Sequence, residues 1–110
     1  MLNELMQRQR KFSSNFIDFS DNSILYKEKI TNDLLMALVE EVIEARRCIH
    51  WKSWKKREYE PDINQLKEEL IDCLCFLMNL FVLWDMSVND IFQIYINKME
   101  KNESRFIRTE

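Results

Sequence analysis

Not one glycine occurs in this chain, and Pro61 is its single proline. Tight hairpins draw on glycine for positive φ angles, so a sheet-rich fold would lack its usual turn chemistry here. An all-α fold is what remains. The 110 residues suffice for one domain with a modest core. Apolar and charged residues make up 46% and 32%, as in an ordinary globular protein. We therefore expect a single domain over residues 1–110, without linker, repeat or low-complexity segment.

Hydrophobic periodicity predicts four helices in a four-helix-bundle-like arrangement. The first spans roughly Leu2 to Phe12, with Leu2, Leu5, Gln9 and Phe12 inward. Residues Ser13 to Ser23 read as a packed loop. The second helix starts between Glu28 and Asp33 and runs to about Lys52, on a stripe of Leu34, Leu38, Val42, Ala45 and Ile49. A basic, aromatic connection, WKSWKKREYEPD, follows. Asp62 and Gln65 have the spacing of a capping box that opens the third helix, which runs to about Trp84. After Leu70 that helix is apolar almost all round, which suits a central position or a subunit interface. Ser87 and Asp90 form a second capping-box pattern before a fourth helix from about Val88 to Phe106, with Ile91, Ile94, Tyr95 and Met99 inward.

Composition narrows the partners. Formal net charge is −3, which argues against broad nucleic-acid binding. Three cysteines in or beside apolar runs read as reduced core thiols, and so as a cytoplasmic protein. Cys73 and Cys75 are two apart and diverge on a helix, so they do not make a zinc pair. The opening MLNELMQRQRKF lacks the apolar core of a signal peptide. The longest apolar stretch, Leu70 to Trp84, is interrupted by Asp72 and Asn79 and is too short to span a membrane.

Two acidic pairs carry the chemistry. Glu41 and Glu44 lie three residues apart on the second helix, and Glu69 and Asp72 on the third. Each pair projects from one helical face, and each borders the apolar stripe. Glu40 falls off the line of its helix. Either pair alone would read as solvated glutamates; two pairs inside apolar patterns weaken that reading without removing it. If the helices pack antiparallel, four carboxylates meet, repel, and raise one another's pKa. One or two Mg²⁺ ions, or Mn²⁺, would remove that penalty and bring phosphate chemistry with them.

Cationic and aromatic groups accompany the acids. Lys98, Asn102 and Arg105 share one face of the fourth helix and offer donors to a phosphate, with Arg108 a second-choice partner. The competing reading is a solvated helix end with cations that suit the dipole. Trp51, Lys52, Trp54 and Lys55 directly follow the acidic helix. The tryptophans suit base stacking or closing the core, and the lysines a triphosphate or open water. Asn79, buried by pattern, would orient a ligand or pair with backbone.

The order of these elements resembles the all-α nucleoside triphosphate pyrophosphohydrolases, the superfamily of the dimeric dUTPases and the MazG-like enzymes. EVIEARRCIHWKSWKK looks like the first motif and the Trp-Lys segment of phage-type members. EELIDCLCFLMNLF looks like the second motif, and YINKMEKNESRF like the closing KxxxNxxR element. The resemblance spans Glu41 to Arg105. It implies metal-dependent hydrolysis of a deoxynucleoside triphosphate to monophosphate and pyrophosphate. Glu41, Glu44, Glu69 and Asp72 would hold Mg²⁺, with Glu41 as general base. Lys98, Asn102 and Arg105, with Lys52 and Lys55, would hold the phosphates. Gln9, Trp51 and Asn79 would receive the base. The first-choice substrate is dUTP; the alternatives are a MazG-like preference for dCTP, dATP or dGTP, or a helical interaction protein without activity. A homodimer or homotetramer is expected, with the site near the subunit boundary.

Overall fold

The chain folds into α1 (Leu2–Ser13), α2 (Ile24–Arg47), α3 (Ile63–Leu83) and α4 (Val88–Thr109). The computed structural model describes residues 1–109, with side chains to Ile107, and holds no strand among them. The Arg108 side chain lies outside the described residues.

The four predicted helices are present, with α2 displaced toward the N-terminus. It begins at Ile24 because Ser23 caps it, its hydroxyl accepting the Tyr26 N–H at 3.3 Å. It ends at Arg47, before the tryptophan segment, which is irregular. The Ser87–Asp90 capping box forms in both directions, at 2.9 and 3.0 Å. Asp62 caps α3 through the Gln65 N–H, but the Gln65 side chain turns away toward Glu69 instead of closing the box.

α3 is the spine. α2 packs along one side and α1 along another, while α4 has no comparable helix partner among the described residues. One cluster joins Met6 of α1 to Met78 and Val82 of α3. A second joins Leu34 of α2 to Leu83 of α3, plugged by Ile17 from the loop. Leu34 in the first half of α2 thus meets Leu83 at the end of α3, so the hairpin is antiparallel. At its other end the Asp62 N–H donates to the Cys48 carbonyl at 2.9 Å.

Several expected inward residues point out. On α1 the buried line is Leu2, Met6, Gln9 and Ser13, with Leu5 and Phe12 exposed. On α2 it is Leu34, Leu38, Glu41, Ala45 and Cys48, leaving Val42 and Ile49 outside. Ile94 and Tyr95 of α4 are exposed as well. The cause is common to all three helices: each carries more apolar surface than one small core can cover.

The surplus is measurable. The chain exposes 8801 Å². A compact monomer of its 13.5 kDa would expose about 6,500 Å². Its radius of gyration is 17.5 Å, against about 13 Å for a compact domain of this length. Among the described residues no single helix is long and apolar enough to cross a membrane; only α3 and α4 together, across their bend, reach that measure.

That bend has a local cause. α4 turns 109° away from the direction of α3. Asp85 adopts φ 54°, the left-handed conformation in which glycine usually ends a helix. The Met86 N–H then reaches the Phe81 carbonyl at 2.9 Å and the Asp85 N–H the Val82 carbonyl at 3.1 Å, which is the Schellman pattern. Lys27, largely buried and 5.4 Å from the Trp84 ring centroid, pairs with Asp85 at 3.4 Å. Asp85→Gly should leave the melting temperature nearly unchanged or slightly lower in thermal unfolding, since relief of about 1 kcal/mol of backbone strain is offset by loss of the carboxylate that partners the largely buried Lys27 ammonium. Asp85→Val, β-branched at a positive φ, should lower it by several degrees in thermal unfolding.

Candidate functional site

The antiparallel α2–α3 hairpin sets the second half of α2 against the first half of α3. Glu41, Glu69 and Asp72 each bring one carboxylate oxygen to a point where all three lie within 4.8 Å of one another. Three of the four expected carboxylates therefore converge. Glu44 stands one turn along α2, exposed, outside the triplet but close enough for its charge to act on Glu41. Glu40 and Glu68 face solvent, as their off-line positions require.

Glu69 is 7% exposed and anchored by Gln65, whose amide donates to Oε1 at 2.7 Å. The other oxygen of Glu69 and Oε2 of Glu41 are buried without a donor. Two such oxygens facing each other are costly, because each has lost water and gained only negative neighbours. A proton on Glu41 would supply one missing donor. A hydrogen bond to Glu69, then burial, then the charges of Glu44, Asp72 and Glu69, push the Glu41 carboxyl up to about 7. The Gln65 amide, followed by the bond with Glu41, pulls Glu69 down. A divalent cation would serve both oxygens better than a single proton. The donor set is all carboxylate, which suits a hard ion such as Mg²⁺.

The connection between α2 and α3 leaves from this end of the hairpin. Trp51 is half-buried, with the Arg46 guanidinium 4.0 Å and the Lys52 ammonium 5.1 Å from its ring centroid. Trp54 meets it edge-on at 6.0 Å and is itself largely exposed. Lys55 is exposed, and its carbonyl lies 2.9 Å from His50 Nε2. The Tyr59 hydroxyl donates to the Ile49 carbonyl at 2.6 Å and so ties the two limbs of the loop.

A second polar group lies further along α3. Asn79, two turns beyond Asp72, is buried. Its Oδ1 accepts from the Ser13 hydroxyl at 2.7 Å and from Gln9 Nε2 at 3.1 Å. Gln9 Nε2 also lies 3.0 Å from Ser13 Oγ. The structure thus joins Gln9 to Asn79, 70 positions apart, through Ser13, which is 0% exposed. Periodicity reading overlooked Ser13, because the stripe it followed ran through Phe12. The signal was present in the spacing of four from Gln9.

Lys98, Asn102 and Arg105 are not brought to the acids of their own chain. Asp72 lies about 17 Å from the end of α3 and Lys98 about 15 Å from the start of α4, which across the 109° turn leaves them about 20 Å apart. Arg105 is farther still. All three are exposed. The cysteines take no part. Burial first, and nearby carboxylates second, raise the Cys48 and Cys73 thiols, and burial also raises Cys75, so none is an activated nucleophile.

Comparison with known proteins follows these boundaries. A family model described as dUTPase matches residues 1–85, which takes in α1 to α3 and stops before α4. The chain is also 38% identical over 66 residues to a dCTP pyrophosphatase of Enterobacteria phage LZ5. That alignment covers 50% of this chain and 38% of the relative's length. No solved structure matches.

The carboxylates make stability depend on pH. Glu41 binds its proton more tightly folded than unfolded. Its contribution is therefore fully present below its ordinary value of 4.5 and is lost as pH rises through about 7. In chelator, denaturant midpoints should fall across that window, and Glu41→Gln should flatten the profile.

Proposed function

Because the chain belongs to the dUTPase family of all-α nucleotide hydrolases, we propose that it is a metal-dependent pyrophosphohydrolase of a pyrimidine deoxynucleoside triphosphate. The observation that carries this is the carboxylate triplet with two buried oxygens lacking donors. Glu41, Glu69 and Asp72, with Glu44 beside them, would hold Mg²⁺. The bound ion would neutralise phosphate charge and acidify a water molecule.

The protein groups have distinct tasks. Gln65 holds Glu69 ionised and in place. Glu41 would take a proton from the attacking water. Water adds to the α-phosphorus, the bond from that phosphorus to the bridging oxygen breaks, and pyrophosphate leaves. Lys52 and Lys55, on the connection at the same end of the hairpin, would meet the outer phosphates. Trp51, rigidified by Arg46 and Trp54, offers an aromatic wall beside them.

Base selection falls to Gln9 and Asn79. Ser13 and Gln9 both donate to Asn79 Oδ1, so Asn79 keeps its amide N–H₂ for another partner. Gln9 spends its N–H₂ inward and keeps its carbonyl. One donor and one acceptor side by side complement the N3–H and O4 of uracil. In reverse order they complement the N3 and N4–H₂ of cytosine. dUTP and dCTP are therefore the two substrates this reading names. The family description favours the first, and the phage relative's name the second.

The surplus surface of about 2,300 Å² exceeds the roughly 800 Å² that each partner contributes to a standard interface. It supports a homodimer at least. Sedimentation at micromolar concentration should give no monomer.

A screen of the deoxynucleoside triphosphates with Mg²⁺ should release pyrophosphate from dUTP or dCTP, and chelator should stop it. Glu69→Gln should lower kcat at least 100-fold. Asn79→Ala should act mainly on KM and on the ratio between the two pyrimidines. Absence of turnover with every triphosphate would leave a helical docking protein in place of an enzyme.

A further inference from the structure

One buried hydroxyl stands behind the two amides assigned to the base. Ser13 ends α1 and is 0% exposed, the deepest side chain among the described residues. Alanine would fill nearly the same space, so packing does not ask for an oxygen there. A hydroxyl in that position costs stability unless its donor and its acceptor are both used. Both are. The O–H donates to Asn79 Oδ1 at 2.7 Å instead of turning to the backbone carbonyl one turn back, the usual local acceptor for a helical serine. The oxygen accepts from Gln9 Nε2 at 3.0 Å. Gln9 Nε2 also donates to Asn79 Oδ1 at 3.1 Å, which closes a ring of hydrogen bonds.

That ring can settle what packing cannot. The two ends of a carboxamide differ in hydrogen bonding and hardly in size. Shape alone therefore does not choose which end of Gln9 or of Asn79 faces outward. With one amide nitrogen and one amide oxygen turned inward, every member of the ring has a partner, because a hydroxyl gives one bond and takes another. With both oxygens inward, the hydroxyl hydrogen reaches only one of them. With both nitrogens inward, N–H meets N–H. Only opposed orientations close the ring, and the outward edge then carries one donor and one acceptor, as the edge of a pyrimidine requires. The direct bond between Gln9 and Asn79 acts in the same sense. Gln9, however, is a long side chain and only partly buried, so that bond alone leaves it free to turn toward water.

We propose that Ser13 is a positioning residue for base selection. It couples the two amides, so that Gln9 and Asn79 present opposite groups to the base and reverse them only together. Ser13 itself touches no substrate and acts through its two partners. The inference rests on reading those amides as the base subsite, and adds what holds them in order.

Two measurements test this. The first is the steady-state kinetics of Ser13→Ala. KM for the preferred pyrimidine triphosphate should rise about 10-fold while kcat holds within about 3-fold, as for a loss confined to binding. A deoxynucleoside triphosphate whose base is difluorotoluene has the pyrimidine shape without a comparable hydrogen-bonding edge, and its KM should not move. In an Asn79→Ala background, Ser13→Ala should add nothing further. Equal rises in KM with both substrates, or effects of the two substitutions that add, would make Ser13 merely structural and overturn the proposal.

The second needs no turnover and so decides the coupling even if the hydrolase reading fails. In ¹⁵N-labelled protein the side-chain N–H₂ signals of Gln9 are assigned by their loss in Gln9→Met. In Ser13→Ala they should shift to the positions of a solvated glutamine, while backbone signals of α1 and α3 away from the site stay in place. Gln9 signals that do not move would rule out the coupling.

Discussion

Electrostatic repulsion held in check by packing is the constraint on which the rest of this structure depends. Glu41, Glu69 and Asp72 would drive the α2–α3 hairpin apart if nothing closed it. It is closed on both sides of the acids. Leu34, Leu83 and Ile17 pack at one end, and the Asp62–Cys48 backbone bond holds the other. Between these fixed points the carboxylates have little room to retreat. Their remaining recourse is chemical: a shared proton, the Gln65 amide, or a cation. A family of hydrolases that acts on nucleotides is a natural home for such a hairpin.

The second constraint is size. A chain of 110 residues with 46% apolar content has more apolar surface than one three-helix core can bury. Leu35, Val39 and Val42 on α2, and Leu70 and Ile71 on α3, are left outside. α4 is directed away from the other helices by one residue in a left-handed conformation. In a chain without glycine, Asp85 takes that position, and its pairing with Lys27 offsets part of the strain. The core is small, and much of the chain's apolar surface stays outside it.

Much of this was legible beforehand, and the failures share a cause. The four helices, the Ser87–Asp90 capping box and the line through Glu41, Glu69 and Asp72 all come from local spacing, which a helix preserves. Spacing and observed burial differ on α1, α2 and α4 because periodicity marks apolar residues without saying which of two apolar faces meets this core. Spacing points to Phe12 where the core takes Ser13, since a larger apolar side chain is the default choice for burial. Ser13 is nevertheless the most buried polar residue among the described residues, because it completes the pairing of Asn79.

The sequence by itself determined the helices, their order and the periodic placement of acids and cations, since each depends on residues within a few turns of one another. Tertiary structure alone decided which groups meet. It brought Gln9 and Asn79 together across 70 positions, admitted three carboxylates to one point and left Glu44 beside it. It also held Lys98, Asn102 and Arg105 away from the acids that their order in the chain suggested they would join. That separation turns on one turn geometry, and no helical period encodes the direction in which the next helix departs.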